Sequence, residues 1–205
     1  IMIFMNMPRA QVSARRINEV LDTKNTIIDG EGKDKPIKTG EVQFVNVGFK
    51  YPEAEEYVLH DISFKVKQGE TVAFIGSTGS GKSTLSKLML NLYKCNSGSI
   101  LLNSLDINSI SKSSLKENIS LVLQKPNLFS GSIRDNFMIC NPKISENNIN
   151  KCLKIALAYD FVYSFDKGLD TILLENGKNL SGGQKQRLAI AIALAKNPSL
   201  LILDD

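Results

Sequence analysis

The sequence predicts an α/β fold with a mainly parallel central sheet, an N-terminal antiparallel β subdomain and a helical subdomain. Two observations carry this prediction. From residue 71 onward, short apolar runs alternate with segments of helical periodicity, which is typical of a parallel sheet covered by helices on both faces. Before them, two runs alternate with a period of two, which indicates antiparallel strands.

Composition is typical of a soluble globular protein. Hydrophobic residues make up 42% and charged residues 22% of the 205 residues, enough for one domain with a sizeable core. The net charge of +4 comes without a dense block of Lys and Arg, so a solvated surface is favoured over a nucleic-acid interface. Cys95, Cys140 and Cys152 lack C-x-x-C spacing and indicate reduced thiols, while the single His60 indicates a surface or turn residue.

The N-terminal elements follow from periodicity. Apolar residues at helical spacing predict an amphipathic helix that starts with Pro8 in its first turn and runs to Leu21. A polar stretch rich in Gly and Lys, Thr23–Gly40, predicts a linker. Runs over Val42–Phe49 and Ile62–Val66 predict the antiparallel strands. Because the chain opens on an apolar run without a start methionine and stops after a buried-looking strand, we expect it to be part of a longer polypeptide.

A glycine-rich loop follows the next apolar run, Thr71–Ile75, which predicts a strand. The loop fits G-x-x-x-x-G-K-[ST], and a helix is expected from Lys82, so the strand–loop–helix context of a P-loop NTPase is present. Lys82 would place its charge near the β- and γ-phosphates of a nucleotide, and the Ser83 hydroxyl would ligate Mg²⁺. The alternative is a Gly/Ser-rich turn with a stray Lys. The residues predicted to surround the phosphates are Gly76, Ser77, Thr78, Gly79, Ser80, Gly81, Lys82, Ser83 and Thr84.

Two further apolar runs predict parallel strands that end in polar residues. The run from Ile119 to Leu123 ends at Gln124, and the run from Leu200 to Leu203 ends at Asp204. A hydrophobic strand that delivers an acidic residue is the second element of a nucleotide–Mg²⁺ site, although apolar strands that end in Asp are also common without any ligand. Asp204 is therefore a candidate metal ligand.

The intervening residues, from about 125 to 180, have the pattern of a helical subdomain. Ser132 and Ser145 are expected to be N-caps, and Ser145 is followed by Glu146 in the first helical turn. These caps predict at least two helices before the next glycine-rich segment.

The segment Leu180–Gln184 predicts a second glycine-rich helix start, capped by Ser181 and continuing to Lys196. Free N–H groups at such a start favour a bound anion. A nucleotide held by the first loop needs no second anion site in the same domain, so we expect each copy of the domain to close over a nucleotide held by another copy. The alternative is a glycine-rich cap without a ligand. The candidate residues are Ser181, Gly182, Gly183 and Gln184.

Taken together, these motifs resemble the nucleotide-binding domain of an ATP-binding cassette (ABC) transporter of the exporter type. The resemblance covers Glu41–Asp205, with Walker A, signature and Walker B motifs in order. It implies domains at residues 1–22 (the end of the last transmembrane helix and a connecting helix), 23–40 (a linker) and 41–205 (the ABC domain, continuing beyond Walker B). The run from Asn127 to Asn136 and the acidic Glu175 are similar to exporter segments that follow the Q-loop and face the transmembrane domains.

The resemblance also implies roles for single residues. Tyr51 would stack on adenine, with a half-buried residue at a strand end as the alternative. Gln124 would take the Q-loop position, where it reaches Mg²⁺ and the γ-phosphate. Asp204 would hold Mg²⁺, and Asp205, Lys82 and Gln124 would act in catalysis. The implied cofactors are ATP and Mg²⁺, and the implied partners are a second ABC domain and transmembrane domains at the cytoplasmic face of the cell membrane, without nucleic acid.

Two residues depart from the family pattern. Asp205 stands where the family usually has Glu, and Ile192 stands where it commonly has Arg. A carboxylate that is one methylene shorter is expected to slow hydrolysis. The chain therefore resembles the degenerate-site subunit of a heterodimeric, multidrug-type bacterial half-transporter, in which hydrolysis by the isolated domain would be weak or absent. The alternatives are a regulatory nucleotide-binding module with little hydrolysis and a non-transport ABC ATPase.

Overall fold

The computed structural model describes residues 2–23 and 40–204, with side chains from residue 7 onward. Helix α1, Met2–Leu21, has its described side chains exposed. The prediction that Pro8 occupies the first turn is wrong, because the helix begins six residues earlier and Pro8 lies inside it. A proline in a helix interior removes one backbone hydrogen bond, and the residues on both sides continue the helix. In the described part of the chain, no helix has the length and hydropathy needed to cross a membrane.

A four-stranded antiparallel sheet confirms the predicted N-terminal β subdomain. Its strands are β1 (Val42–Phe49), β2 (Leu59–Val66), β3 (Ser97–Leu102) and β4 (Leu105–Asp106), in the order β2-β1-β3-β4. The central strand β1 places Phe44 opposite Phe64 on one side and Ile100 on the other. This alignment packs apolar side chains on one face of the sheet.

The first hydrophobic core lies between this sheet and three further elements. These are α2 (Lys82–Met89), α3 (Lys112–Asn118) and β5 (Ile119–Val122). From α2 the core receives Leu85, Leu88 and Met89, which are buried in the same cluster as residues of β1 and β3. Because α2 begins directly at the glycine-rich loop, this packing fixes the position of the loop.

The parallel strands form a separate two-stranded sheet, which is smaller than the sequence predicts. β5 pairs in parallel with β8 (Leu200–Leu203), with Ile119 opposite Leu200 and Val122 opposite Leu203. The prediction of a strand over Thr71–Ile75 is wrong for the described residues, since this segment has no regular secondary structure and Ile75 is 97% exposed. A strand requires a hydrogen-bonded neighbour, and the segment pairs with none of the described strands.

A second hydrophobic core belongs to the helical region. It gathers α4 (Ile133–Cys140), α5 (Glu146–Ile155), α6 (Tyr159–Tyr163) and α7 (Gly182–Leu194), together with the short strands β6 (Gly131–Ser132) and β7 (Ile172–Leu173).

Both predicted N-caps of this region are confirmed. The Ser132 hydroxyl accepts from the N–H of Asp135, whose carboxylate accepts in turn from the N–H of Ser132, and the Ser145 hydroxyl accepts from the N–H of Asn148. Such reciprocal capping satisfies N–H groups that the helix itself leaves open.

Candidate functional site

The glycine-rich loop is closed by its own lysine. The Lys82 ammonium donates to the carbonyl oxygens of Gly76 at 2.7 Å and Ser77 at 2.8 Å, and to the Ser80 hydroxyl at 3.3 Å. The loop therefore surrounds a positive charge whose present partners are the loop's own oxygen atoms. The oxygens of a bound anion can replace these loop oxygens as acceptors for the Lys82 ammonium.

Two glycines give the loop its shape. Gly79 and Gly81 have φ angles of +86° and +93°, a region that residues with a Cβ atom rarely adopt. A Cβ atom on Gly81 would also lie 2.6 Å from the Leu59 side chain. The loop thus requires glycine at position 81 for both backbone conformation and space.

The start of α2 has no side-chain cap. Gly81 is the N-cap residue, and its carbonyl accepts from the N–H groups of Thr84 and Leu85 at 3.0 Å. The N–H groups of Lys82 and Ser83 have no acceptor in the described part of the chain. Open N–H groups at a helix start carry the positive end of the helix dipole and favour an anion.

One hydrogen bond joins this helix start to the end of β8. The Ser83 hydroxyl donates to a carboxylate oxygen of Asp204 at 3.0 Å, and the N–H of Asp204 donates to the Val122 carbonyl at 2.9 Å. The structure therefore brings together two of the three predicted metal ligands, Ser83 and Asp204. A hydroxyl and a carboxylate oxygen are ligands that Mg²⁺ prefers, so these residues fit that metal.

Gln124 lies two residues beyond β5 and is exposed, and no hydrogen bond among the described residues joins its side chain to Ser83 or Asp204. Because β5 and β8 are parallel and Val122 lies opposite Leu203, Gln124 and Asp204 emerge at the same carboxyl edge of the strands. Asp205 lies outside the described residues.

Tyr51 is held beside the loop. Its hydroxyl shares a hydrogen bond of 3.0 Å with the Thr84 hydroxyl, and its half-buried ring is nearly perpendicular to the rings of Phe49 and Tyr93. The Lys87 ammonium lies 5.5 Å from the ring centre. The sequence predicts Tyr51 as a site residue but not Tyr93 or Lys87, because nothing in their spacing indicates that they meet this ring.

The start of α7 is capped by its own side chains. The Ser181 hydroxyl accepts from the N–H of Gln184 at 3.3 Å, and the Gln184 side-chain oxygen accepts from the N–H of Ser181 at 2.9 Å. Positions where Gly182 and Gly183 would carry a Cβ atom have nothing within 4 Å. This turn is therefore both ordered and open to an outside molecule.

The two glycine-rich helix starts belong to different cores. α2 packs in the first core and α7 in the second, where Leu188 and Ala191 are buried. No hydrogen bond or ion pair between described residues connects the loop at 76–84 with residues 181–184.

Ile192 lines a cavity of about 240 Å³ between β5 and helices α4 and α7. Ser120 and Cys140 also line it, and the Ser120 hydroxyl is buried without a hydrogen-bond partner. Burial raises the pKa of the Cys140 thiol, although the nearby Lys196 opposes this effect. Ile192, which stands where the family commonly has Arg, thus lines this pocket and also packs against the second hydrophobic core.

Glu175, the predicted acidic loop residue, is exposed in a 3₁₀ turn (Glu175–Gly177) and forms an ion pair with Lys178 at 3.4 Å. Nothing else among the described residues contacts its carboxylate through an ion pair. It remains available to a partner.

Comparison with known proteins agrees with the motif order. The model of the family described as "ABC transporter" matches residues 59–205. The chain is 41% identical over 199 residues to an ATP-dependent lipid A-core flippase of Albidiferax ferrireducens, covering 96% of this chain and 34% of that protein. It is 37% identical over 204 residues to ABC transporter B family member 4 of Dictyostelium discoideum, covering 99% and 27%.

Among solved structures, the chain is similar to a bacterial Atm1-family ABC exporter with ATP bound, with a TM-score of 0.86 and 32% identity. The alignment covers 99% of this chain and 36% of that one. The chain thus spans about a third of the length of these relatives. It belongs to the ABC transporter family.

Proposed function

We propose that this chain is the ATP-binding and ATP-hydrolysing domain of an ABC exporter that drives a substrate across a membrane. The observation that carries the proposal is the uncapped start of α2, where open N–H groups and Lys82 lie next to the Ser83–Asp204 pair. This arrangement provides positive charge for phosphates and oxygen ligands for a cation in one place.

The loop residues 76–84 would hold the triphosphate of ATP. Lys82 would exchange the carbonyls of Gly76 and Ser77 for phosphate oxygens, while the N–H groups of Lys82 and Ser83 donate to the same anion. Tyr51, already fixed beside Thr84, would stack on the adenine. The apolar contacts of Tyr51 are equally consistent with a packing role. Selective binding of adenine nucleotides over nucleotides with other bases would distinguish stacking on adenine from packing alone.

Ser83 and Asp204 would hold Mg²⁺, directly or through water, and Gln124 would complete its surroundings from the neighbouring strand end. Mg²⁺, when bound, neutralises charge on the phosphate oxygens. Asp205, which follows Asp204, would orient the attacking water. Its short side chain suggests slow turnover at this site.

The capped start of α7 would close over ATP held by a second ABC domain. Ser181, Gly182 and Gly183 would face the phosphates of that partner, and Gln184 would keep the turn in shape. Asp205 favours a heterodimer in which the partner has the faster site. Residues 1–22 would contain the end of the last transmembrane helix and a connecting helix, and the domain would lie at the cytoplasmic face of the membrane.

The names of the relatives support transport over other uses of an ABC domain, since they include a lipid A-core flippase and an exporter. A non-transport ABC ATPase and a purely regulatory nucleotide-binding module are less well supported. A nucleic-acid partner is not favoured either, since the net charge of +4 comes without a basic cluster.

The test is a titration of the full-length protein with ATP and Mg²⁺, comparing the wild type with Lys82→Ala. We expect the affinity to fall about 10- to 100-fold, because a hydrogen bond to a charged group contributes ~1.5–3 kcal/mol. Lys151→Ala, an exposed lysine on α5, is the matched control for loss of one positive charge. Equal affinity in both variants and the wild type would contradict the phosphate assignment.

A further inference from the structure

Arg187 connects the first turn of α7 to the turn between α5 and α6. One guanidinium nitrogen donates to the Leu157 carbonyl at 3.0 Å, and another donates to the Gly183 carbonyl at 3.4 Å. The guanidinium carbon also lies 5.2 Å from the centre of the Phe161 ring on α6. The planar fork of arginine suits such a bridge, because its donors leave in fixed directions.

These contacts fix one particular peptide plane. The carbonyl of Gly183 accepts from Arg187, while the N–H of the same peptide unit, which belongs to Gln184, donates to the Ser181 hydroxyl. The unit is therefore held at both ends. It is the peptide that follows the two glycines of the turn.

The two glycines of this turn contribute no side-chain packing, and the space beside them is open. Gly182 and Gly183 lack side chains, and each lowers helix stability relative to alanine. The first fully buried side chain of α7 is Leu188. Ahead of it, the buried Leu180, the Ser181–Gln184 cap and Arg187 hold the first turn to the rest of the domain.

The backbone around Leu157, to which Arg187 donates, also has a defined conformation. Leu157 has a φ of +54°, and the backbone there closes α5 through hydrogen bonds from Leu157 to Lys154 and from Ala158 to Leu153. A cation at the carboxyl end of a helix is stabilised by the helix dipole. Among the described residues, no carboxylate forms an ion pair with Arg187, so its partners are these carbonyls and the ring.

We propose that Arg187 is a positioning residue, which holds the first turn of α7 in the conformation that receives the phosphates of ATP bound by a second domain. The proposal rests on the proposed function of Ser181–Gln184. It assigns Arg187 no contact with ATP. Movement of the α5–α6 turn changes the orientation of the Gly183–Gln184 peptide through this side chain.

The experiment measures two quantities in the full-length protein. One is the affinity for ATP and Mg²⁺, which reports the loop at 76–84, and the other is ATP-dependent closure of the two ABC domains, followed by energy transfer between labels on them. Arg187→Lys keeps the positive charge and loses the planar guanidinium group, and Arg187→Ala removes both. Phe161→Leu removes only the aromatic ring that the guanidinium contacts. We expect closure to require about 3- to 10-fold more ATP in Arg187→Lys and at least tenfold more in Arg187→Ala, with a smaller change in Phe161→Leu and ATP affinity within about twofold.

Amide hydrogen exchange gives a second readout. The N–H groups of Gln184 and Lys185 should exchange faster in both Arg187 variants, while those around Leu188 should not change. Ser181→Arg serves as a reference that blocks the surface itself and is expected to prevent closure. If Arg187→Ala fails to fold, Arg187→Lys and Phe161→Leu still provide the comparison.

Unchanged closure and exchange in both Arg187 variants would overturn the positioning role. Loss of ATP affinity and of closure by the same factor would also overturn it, because it would show a general effect on stability. Absence of ATP binding in the wild type would instead contradict the proposed function, so the two failures are distinguishable.

Discussion

The two glycine-rich helix starts differ in how their open N–H groups are satisfied. The start of α2 has Gly81 as N-cap with a left-handed backbone, no side-chain cap and a lysine folded onto the loop. The start of α7 has Ser181 as N-cap with extended backbone, and Ser181 and Gln184 cap each other. Both carry the positive end of a helix dipole, yet the first has no side-chain cap and the second is capped by Ser181 and Gln184.

This difference indicates that the two helix starts have different roles in anion binding. The start of α2 can hold an anion from free solution, because N–H groups and the Lys82 ammonium converge there. The start of α7 has already satisfied its Gln184 N–H, and its Arg187 donates to the carbonyls of Gly183 and Leu157. It is suited to complete the surroundings of an anion that another domain brings to it.

The largest expected effect concerns turnover rather than binding. Asp205→Glu lengthens the carboxylate by one methylene and should raise ATP hydrolysis at this site by up to about a hundredfold, because misplacement by about 1 Å costs roughly that factor. ATPase activity of the full-length complex is the measurement, with ATP affinity as the internal control. An unchanged rate would mean that the start of α2 and its surroundings serve only to bind.

A smaller effect, on the affinity for ATP, tests the difference between the two helix starts directly. Gly81→Ala should lower the affinity for ATP about tenfold, because a positive φ costs a residue with a Cβ atom ~1–2 kcal/mol and the added atom meets Leu59. Gly182→Ala should leave this affinity within about twofold, since nothing lies within 4 Å of the added atom.

Gly79→Ala separates the two causes, because Gly79 also has a positive φ but its added atom meets nothing within 4 Å. Its affinity should fall between those of the other two variants. Equal affinities for Gly81→Ala and Gly182→Ala, measured by ATP titration, would remove the basis for distinguishing the two helix starts.

The helix starts themselves could be predicted from the sequence, because capping is a local property. Ser132, Ser145 and Ser181 cap their helices as predicted, and Lys82 begins α2. The strand over Thr71–Ile75 could not be predicted correctly, since its local preference is clear but strand formation depends on a neighbour that the described residues do not supply.

Contacts between distant residues account for the rest of what the sequence missed. The Ser83–Asp204 hydrogen bond joins residues 121 positions apart. The motifs predicted both as metal ligands, but their meeting depends on the pairing of β5 with β8. Nothing in the sequence indicates the hydrogen bond from Arg187 to the Leu157 carbonyl, 30 residues away. That contact arises from the packing of three helices in the second core.

The start of α4 extends the comparison of helix starts to the pH dependence of folding stability. Its cap has the same form as that of α7, but Asp135 stands where α7 has Gln184. Hydrogen bonds from the Ser132 side chain and then from its backbone lower the pKa of Asp135 below its ordinary value of 3.8. A lowered carboxyl pKa stabilises the folded state above the ordinary value, and this contribution is lost as the pH falls through the lowered one.

Asp135→Asn should therefore lower the melting temperature slightly at neutral pH, and the gap to the wild type should close below about pH 3.8 as the wild-type carboxylate takes up a proton. Gln184→Asn, at the uncharged cap of α7, should show a gap that does not depend on pH in this range. Thermal unfolding of both variants between pH 2 and pH 7 measures the difference. A gap for Asp135→Asn that stays constant across this range would mean that the charge of Asp135 contributes nothing, and that the caps of α4 and α7 stabilise their helices in the same way.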